Sequence, residues 1–271
     1  MIAWAIARQT VNEALRRRIM WVFLISGVAL IFLMPLFGYL TAPKDSQTVL
    51  RALGLAAILL AGLFITIVTC IYLIPVEIER RTIYTVLSKP VQRYEFVLGK
   101  FLGGFITVAI NILFMGVLFI FMLYLQSLKV GLDRGFFACI TSGTFAPEMI
   151  RGIFMTFFQM LLLAALTIFF STFTTPIVNF FLSFGIFMVG NLSSVTDSLT
   201  TNSNWLVRGT GTVIHYLLPN FGNFNIQNAL IHPVAEISNP NEYMRNNIVY
   251  ALIYSAVLLI LAIIVFDRRE V

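Results

Sequence analysis

Six stretches of the chain, Ile19–Leu40, Ala52–Val76, Phe101–Leu125, Gly152–Phe173, Ile177–Val195 and Ile248–Phe266, run for 19 to 25 residues without one Asp, Glu, Lys, Arg or His. A hydrocarbon layer about 30 Å thick is crossed by about 20 apolar residues of helix. In lipid every backbone N–H and C=O must be bonded within the protein, and for isolated apolar runs of this length the α-helix does that. The expectation is an all-α, polytopic membrane protein with six transmembrane helices. Composition agrees: 59% of residues are hydrophobic and 11% charged, where a soluble domain carries about a quarter charged residues. Too little chain lies outside the spans for a soluble catalytic domain of about 100 residues, so residues 1–271 read as a single transmembrane domain.

Six crossings put both termini on one side. If that side is cytoplasmic, it holds Arg8, Arg16, Arg17, Arg18, Arg80, Arg81, Lys89, Arg93, Lys100, Arg268 and Arg269, which is 11 of the 18 basic residues, on the short segments. Basic residues favour the cytoplasmic side of short loops, so both termini are expected there, in the plasma (inner) membrane of a prokaryote. The net charge of +6 thus sets topology and does not point to nucleic acid. Arg16-Arg17-Arg18 followed by an apolar run has the order of a signal peptide. The run is longer than a signal h-region and no small-x-small site follows it, so the helix is expected to be retained. Cys70 lies in a span and Cys139 in a loop, too few and too far apart in character for a disulfide framework.

Three segments outside the spans have character. Residues 1–18 read as an amphipathic interfacial helix with Trp4, Val11 and Leu15 on one side and Arg8, Asn12 and Arg16 on another, suited to lying among lipid headgroups; a plain extension of the first span is the alternative. Residues 77–100 form a charged cytoplasmic stretch. Residues 196–247 form an external loop with an interfacial helix expected over Trp205–Leu218, ended by Pro219-Asn220-Phe221-Gly222-Asn223.

Proton relays, ion-coupled transporters and voltage sensors need ionisable groups within the membrane, and the six spans hold none. Weakly polar residues do recur at helical spacing: Gly62, Thr66 and Thr69 in the second span, and Asn179, Ser183, Gly190 and Ser194 in the fifth. They read either as a pathway or subunit seam, or as close packing of helices through small residues. Gly99 and Gly103 make a GxxxG, which alone specifies nothing. HExxH, CxxC and GxSxG are absent, so an enzyme reading has no anchor. His215, His232 and Glu236 are a conceivable metal set, more simply read as surface side chains. There is no GxxxxGK[ST], so an ATP requirement would have to be met by another chain.

The segment Pro75 to Lys100 is the most specific. Lys89-Pro90 hinges two amphipathic pieces, because the residue before a proline is pushed out of the helical region; a short helix is expected from about Glu79 to Ser88, and a second piece from about Gln92 into the third span. In order the segment contains Glu79, Thr82, Leu87-Ser88-Lys89-Pro90-Val91, Arg93 and Gly99-Lys100. With the six-span layout, the basic N-terminus, Tyr216-Leu217-Leu218-Pro219-Asn220-Phe221 and the tail Asp267-Arg268-Arg269-Glu270, this resembles the permease subunits of ABC-2 type ATP-binding-cassette transporters. Among them it is similar to the permease of the nitrous-oxide-reductase maturation system. Arg81 departs from the pattern, where many members have Gly before the Thr.

The resemblance implies a permease that binds no cofactor itself. An ATPase subunit would carry ATP and Mg, and a second permease copy or a paralogue would complete the pair, with an external accessory protein as a further partner. Glu79, Arg80, Arg81, Thr82, Leu87, Ser88, Pro90 and Arg93 would be ATPase-coupling residues, none of them catalytic. Export is the implied direction. Two other readings stand beside it: a secondary transporter or channel, and a non-transporting transducer of ATPase-driven motion to an external partner.

Overall fold

The computed structural model describes residues 2–40, 46–79, 92–129, 147–191, 218–225 and 239–268. Among these the regular structure is entirely helical: α1 (Ile2–Arg16), α2 (Arg18–Leu40), α3 (Ser46–Ile71), α4 (Pro75–Glu79), α5 (Arg93–Lys129), α6 (Pro147–Ser171), α7 (Pro176–Asn191) and α8 (Pro240–Asp267), with one 3-10 turn at Gly222–Phe224. Four of the helices, α4, α6, α7 and α8, begin at a proline, whose missing N–H is one a first turn leaves unbonded anyway. Five helical runs, within α2, α3–α4, α5, α6 and α8, are long and apolar enough to cross a membrane. The helix in the fifth expected span, α7, has 16 residues, about 24 Å at 1.5 Å per residue.

Several boundaries differ from the sequence expectation. The second span does not run unbroken to Val76: α3 stops at Ile71 and α4 restarts at Pro75, because proline disfavours helical geometry at Ile74. The turn between them is closed by Leu73 N–H to the Cys70 carbonyl, 3.3 Å. The last helix starts at Pro240, eight residues before the expected Ile248 and inside the stretch assigned to the external loop. Asn241, Glu242, Arg245, Asn246 and Asn247 hide that first stretch of helix from a reading based on apolar runs.

The two most interior helices are α3 and α6. In each, 72% of the most apolar window is buried, against 22% for α2 and 28% for α8. Helix α6 touches α3, α5, α7, α8 and the 3-10 turn, while α3 touches α2, α5, α6 and α7. The perimeter is apolar: Val22, Ile25 and Phe32 of α2 and Val257 and Ile260 of α8 are exposed, as expected for surfaces facing hydrocarbon.

Helix α1 is a separate helix. It breaks from α2 at Arg17 and packs along α5. Its buried face is Ala7, Thr10 and Ala14, whereas Trp4 is 64% exposed, so the small residues make the contact with α5. The break is fastened from three directions: Trp21 Nε1 donates to the Leu15 carbonyl at 2.9 Å, Arg17 pairs with Glu13 at 2.8 Å, and the Arg17 guanidinium lies 5.4 Å from the centre of the Tyr72 ring.

Candidate functional site

Of the residues proposed for coupling, Arg80, Arg81, Thr82, Leu87, Ser88 and Pro90 lie outside the described residues, as do His215, His232, Glu236 and nearly all of the helix expected over Trp205–Leu218. Glu79 is the last residue of α4 and Arg93 the first of α5. The segment 77–100 is therefore seen at its two roots.

At one root, Arg93 Nη1 donates to the Asp267 carbonyl at 2.8 Å, and its Nε lies 3.8 Å from the Asp267 carboxylate. The last carbonyls of a helix lack intrahelical partners and carry the negative end of its dipole, so a guanidinium there caps α8. One turn into α5, Phe96 stacks on Phe266 with ring centres 5.9 Å apart. Both rings are almost wholly buried.

Two residues the sequence reading did not assign sit deeper. Lys100 Nζ donates to Glu77 Oε1 at 2.7 Å, with side chains 4% and 17% exposed, and the ammonium lies 5.8 Å from the Phe96 ring centre. Lys100 was visible as part of Gly99-Lys100, and Glu77 as the charge ending the second apolar run. Nothing in linear spacing says that charges 23 residues apart meet.

The GxxxG acquires a use here. A Cβ built on Gly99 would lie 2.8 Å from Ile6 Cβ and 2.9 Å from the Ala3 carbonyl oxygen; on Gly103 it would lie 2.5 Å from Thr10 Cβ and 2.7 Å from the Ala7 oxygen. The two glycines let α1 lie directly on the backbone of α5.

Of the residues offered for a pathway or seam, Gly62, Thr66, Thr69, Asn179, Ser183 and Gly190 are buried inside this one chain, and Ser194 lies outside the described residues. Thr66 Oγ1 donates to the Gly62 carbonyl at 2.6 Å. Asn179 Nδ2 donates to the Thr167 carbonyl at 3.0 Å, and Ser183 Oγ donates to Asn179 Oδ1 at 2.9 Å. Asn179 and Ser183 thus join α7 to α6, while Gly62 faces Met160 of α6 and Ile112 of α5 at ordinary contact distance. Thr69 is buried on the same face of α3 as Thr66.

Gly190 belongs to a different arrangement at the end of the bundle away from the termini. A Cβ there would collide with the Pro219 carbonyl and lie 2.7 Å from the Phe221 ring. Residues 218–225 pack irregularly against α6 and α7, with Phe221 and Phe224 buried and Phe187 against Phe221 at 5.1 Å. Their backbone is bonded by side chains: Gln159 Nε2 donates to the Phe221 carbonyl at 3.0 Å, Tyr243 Oη to the Asn223 carbonyl at 2.9 Å, and the Asn220 N–H donates to Tyr250 Oη at 3.0 Å. Gln159 is the middle residue of α6, so this non-helical backbone reaches well into the bundle. Such backbone is tolerated at membrane depth only where protein covers and bonds it.

The description "ABC-2 family transporter protein" matches residues 4–271. The chain belongs to the ABC-2 transporter family. A comparison with curated proteins finds no match. ABC-2 members of this kind are multi-pass membrane components of ATP-binding-cassette transporters, normally without an ATPase site of their own. The family implies an ATP-binding partner subunit and typically a paired permease. Seen as an ABC-2 permease, the chain has its two roots of segment 77–100 gathered with α1 and the end of α8 into one cluster at the end of the bundle that carries the termini.

Proposed function

We propose that this ABC-2 permease is one half of an ATP-driven exporter, with residues 77–100 docking on a separate ATPase subunit that holds ATP and Mg. Glu79, Arg80, Arg81, Thr82, Leu87, Ser88, Pro90 and Arg93 form the docking surface, and this chain binds no cofactor. The bundle crosses a prokaryotic plasma membrane six times, α7 being the short fifth crossing, with both termini cytoplasmic. The partner permease is a second copy or a paralogue, and the subfamily is the one similar to the nitrous-oxide-reductase maturation permease. The observation that carries this reading is the family match over 4–271. It is supported by the way the roots of the docking segment are tied to α5 and α8, since a docked segment moves the spans only if it is fastened to them. ATP binding also has to favour one arrangement of those spans over another, or nothing is coupled.

A second reading, a transducer that passes ATPase-driven motion to an external partner through residues 196–247, is favoured by one observation. The polar groups of Asn179 and Ser183 are spent on bonds within the chain, as they would be in a protein with no cargo path along that face.

Purification of the tagged protein in mild detergent, with mass spectrometry of what accompanies it, tests the class. A stoichiometric Walker A subunit is expected. Recovery of this chain alone, under conditions that preserve comparable complexes, would favour a secondary transporter or channel. Replacing Asn179 and Ser183 while keeping 196–247 intact separates the first two readings, because unchanged function favours the transducer.

A further inference from the structure

Helix α4 is five residues long and set off from α3 by the turn at Tyr72–Ile74. One helical turn has too few internal hydrogen bonds to fix its own direction. A load arriving from segment 77–100 would therefore swivel α4 about that turn before it displaced α3. A bond that limits this freedom is Lys100 Nζ to Glu77 Oε1 at 2.7 Å, which ties α4 to α5 beyond the buried turn residues Leu73 and Ile74. Beside Lys100, Gly99 and Gly103 seat α1, and Phe96 stacks on Phe266 of α8. One joint thus gathers helices from both roots of the segment.

Burying an ion pair is a poor way to gain stability, because the desolvation of the two ions offsets their attraction and an apolar pair of similar volume often does as well. What the ion pair supplies, and an apolar contact does not, is direction: hydrophobic contact is non-directional, whereas a short charge-assisted bond fixes two groups in one geometry. We propose that Glu77 and Lys100 are positioning residues for energy coupling, the joint that makes α3–α4 and α5 move together when the ATPase subunit moves segment 77–100. The inference rests on the ATP-driven reading above and adds two residues to it.

The experiment uses the full chain reconstituted with its ATPase subunit in proteoliposomes, reading subunit stoichiometry, melting temperature and permease-stimulated ATP hydrolysis. Lys100→Met and Glu77→Gln should each lower stimulated hydrolysis by at least about fivefold, the low end of a typical coupling free energy. The exchanged pair Glu77→Lys with Lys100→Glu should recover most of it. Because a single variant leaves one buried charge without this partner and can misfold, the apolar pair Glu77→Leu with Lys100→Met is the deciding variant. It is expected to assemble and melt like the native protein yet remain uncoupled. Native stimulation in the apolar pair would reduce the joint to packing and overturn the proposal, as would an exchanged pair no better than the single variants. If the unaltered chain recovers no ATPase subunit, the ATP-driven reading itself has failed, a result distinct from an assembled complex indifferent to the joint.

Discussion

Filling the notch at Gly103 asks whether α1 is held by backbone-to-backbone approach. In Gly103→Ala the new Cβ falls 2.5 Å from Thr10 Cβ and 2.7 Å from the Ala7 carbonyl oxygen, where non-bonded carbons settle at about 3.5–4.0 Å. Neither neighbour is the free end of a flexible side chain, so α1 has to retreat by about 1 Å. Overpacking of this kind costs about 1–3 kcal/mol. The better helix propensity of alanine in α5 returns about 1 kcal/mol, leaving a net loss of about 0–2 kcal/mol. A global melt would barely register that, so the readout has to be local. Thr10 is fully buried and close in size to cysteine. In a Cys70→Ala, Cys139→Ser background, Thr10→Cys should resist a small thiol reagent with Gly103 in place, react faster with Gly103→Ala, and react fastest with Gly103→Val. Equal protection in all three would refute the reasoning and leave the GxxxG without a packing role.

Two further outcomes follow from the same geometry. Glu79→Ala combined with Arg93→Ala should lower coupled ATP hydrolysis while membrane insertion, checked by fractionation, stays intact, because Arg93 caps α8 at a partly exposed position; unchanged hydrolysis would remove both residues from the coupling surface. Gln159→Leu takes the amide donor from the Phe221 carbonyl, a loss of about 1–3 kcal/mol for a buried unsatisfied acceptor, so residues 218–225 should loosen and Phe221→Cys should become reactive to thiol reagents where the native packing protects it.

The helical class and the position of five long helices were legible because lipid leaves the backbone so few options that an uncharged run of about 20 residues has nearly one reading. Boundaries were not, wherever a helix outlasts its apolar stretch. Asn241 to Asn247 are mostly polar and still helical in α8, since that part of the helix is bonded to other protein groups, as in Arg151 Nη2 to Asn241 Oδ1 at 3.0 Å. The break at Tyr72–Ile74 was signalled by Pro75, which hydropathy overlooks. The seat of α1 was half legible: the amphipathic helix and the GxxxG are both in the sequence, but a hydrophobic scale does not say that the alanine-bearing side of one seats on the other. Close packing between helices in lipid is governed instead by how near the backbones can come.

The least legible part is also the one that most limits how the bundle can work. An uncharged span looks inert in sequence, and the weakly polar residues inside it are easily taken for a lining. Here much of their bonding capacity is spent holding protein to protein: Asn179 on α6, Gln159, Tyr243 and Tyr250 on the backbone of 218–225. A neutral amide or phenol suits that task because it bonds an irregular backbone without the desolvation cost of a buried charge. The one strongly buried ion pair among the described residues lies at the opposite end, between Lys100 and Glu77. Among the described residues the buried ion pair thus stands where segment 77–100 joins the helices, while neutral side chains hold the backbone of 218–225 and the charged contacts near it, Arg151 with Asn241 and Arg245 with Glu242, are exposed. The neutral bonds are individually weak, so residues 218–225 are held by several at once, from Gln159 of α6 and from Tyr243 and Tyr250 of α8.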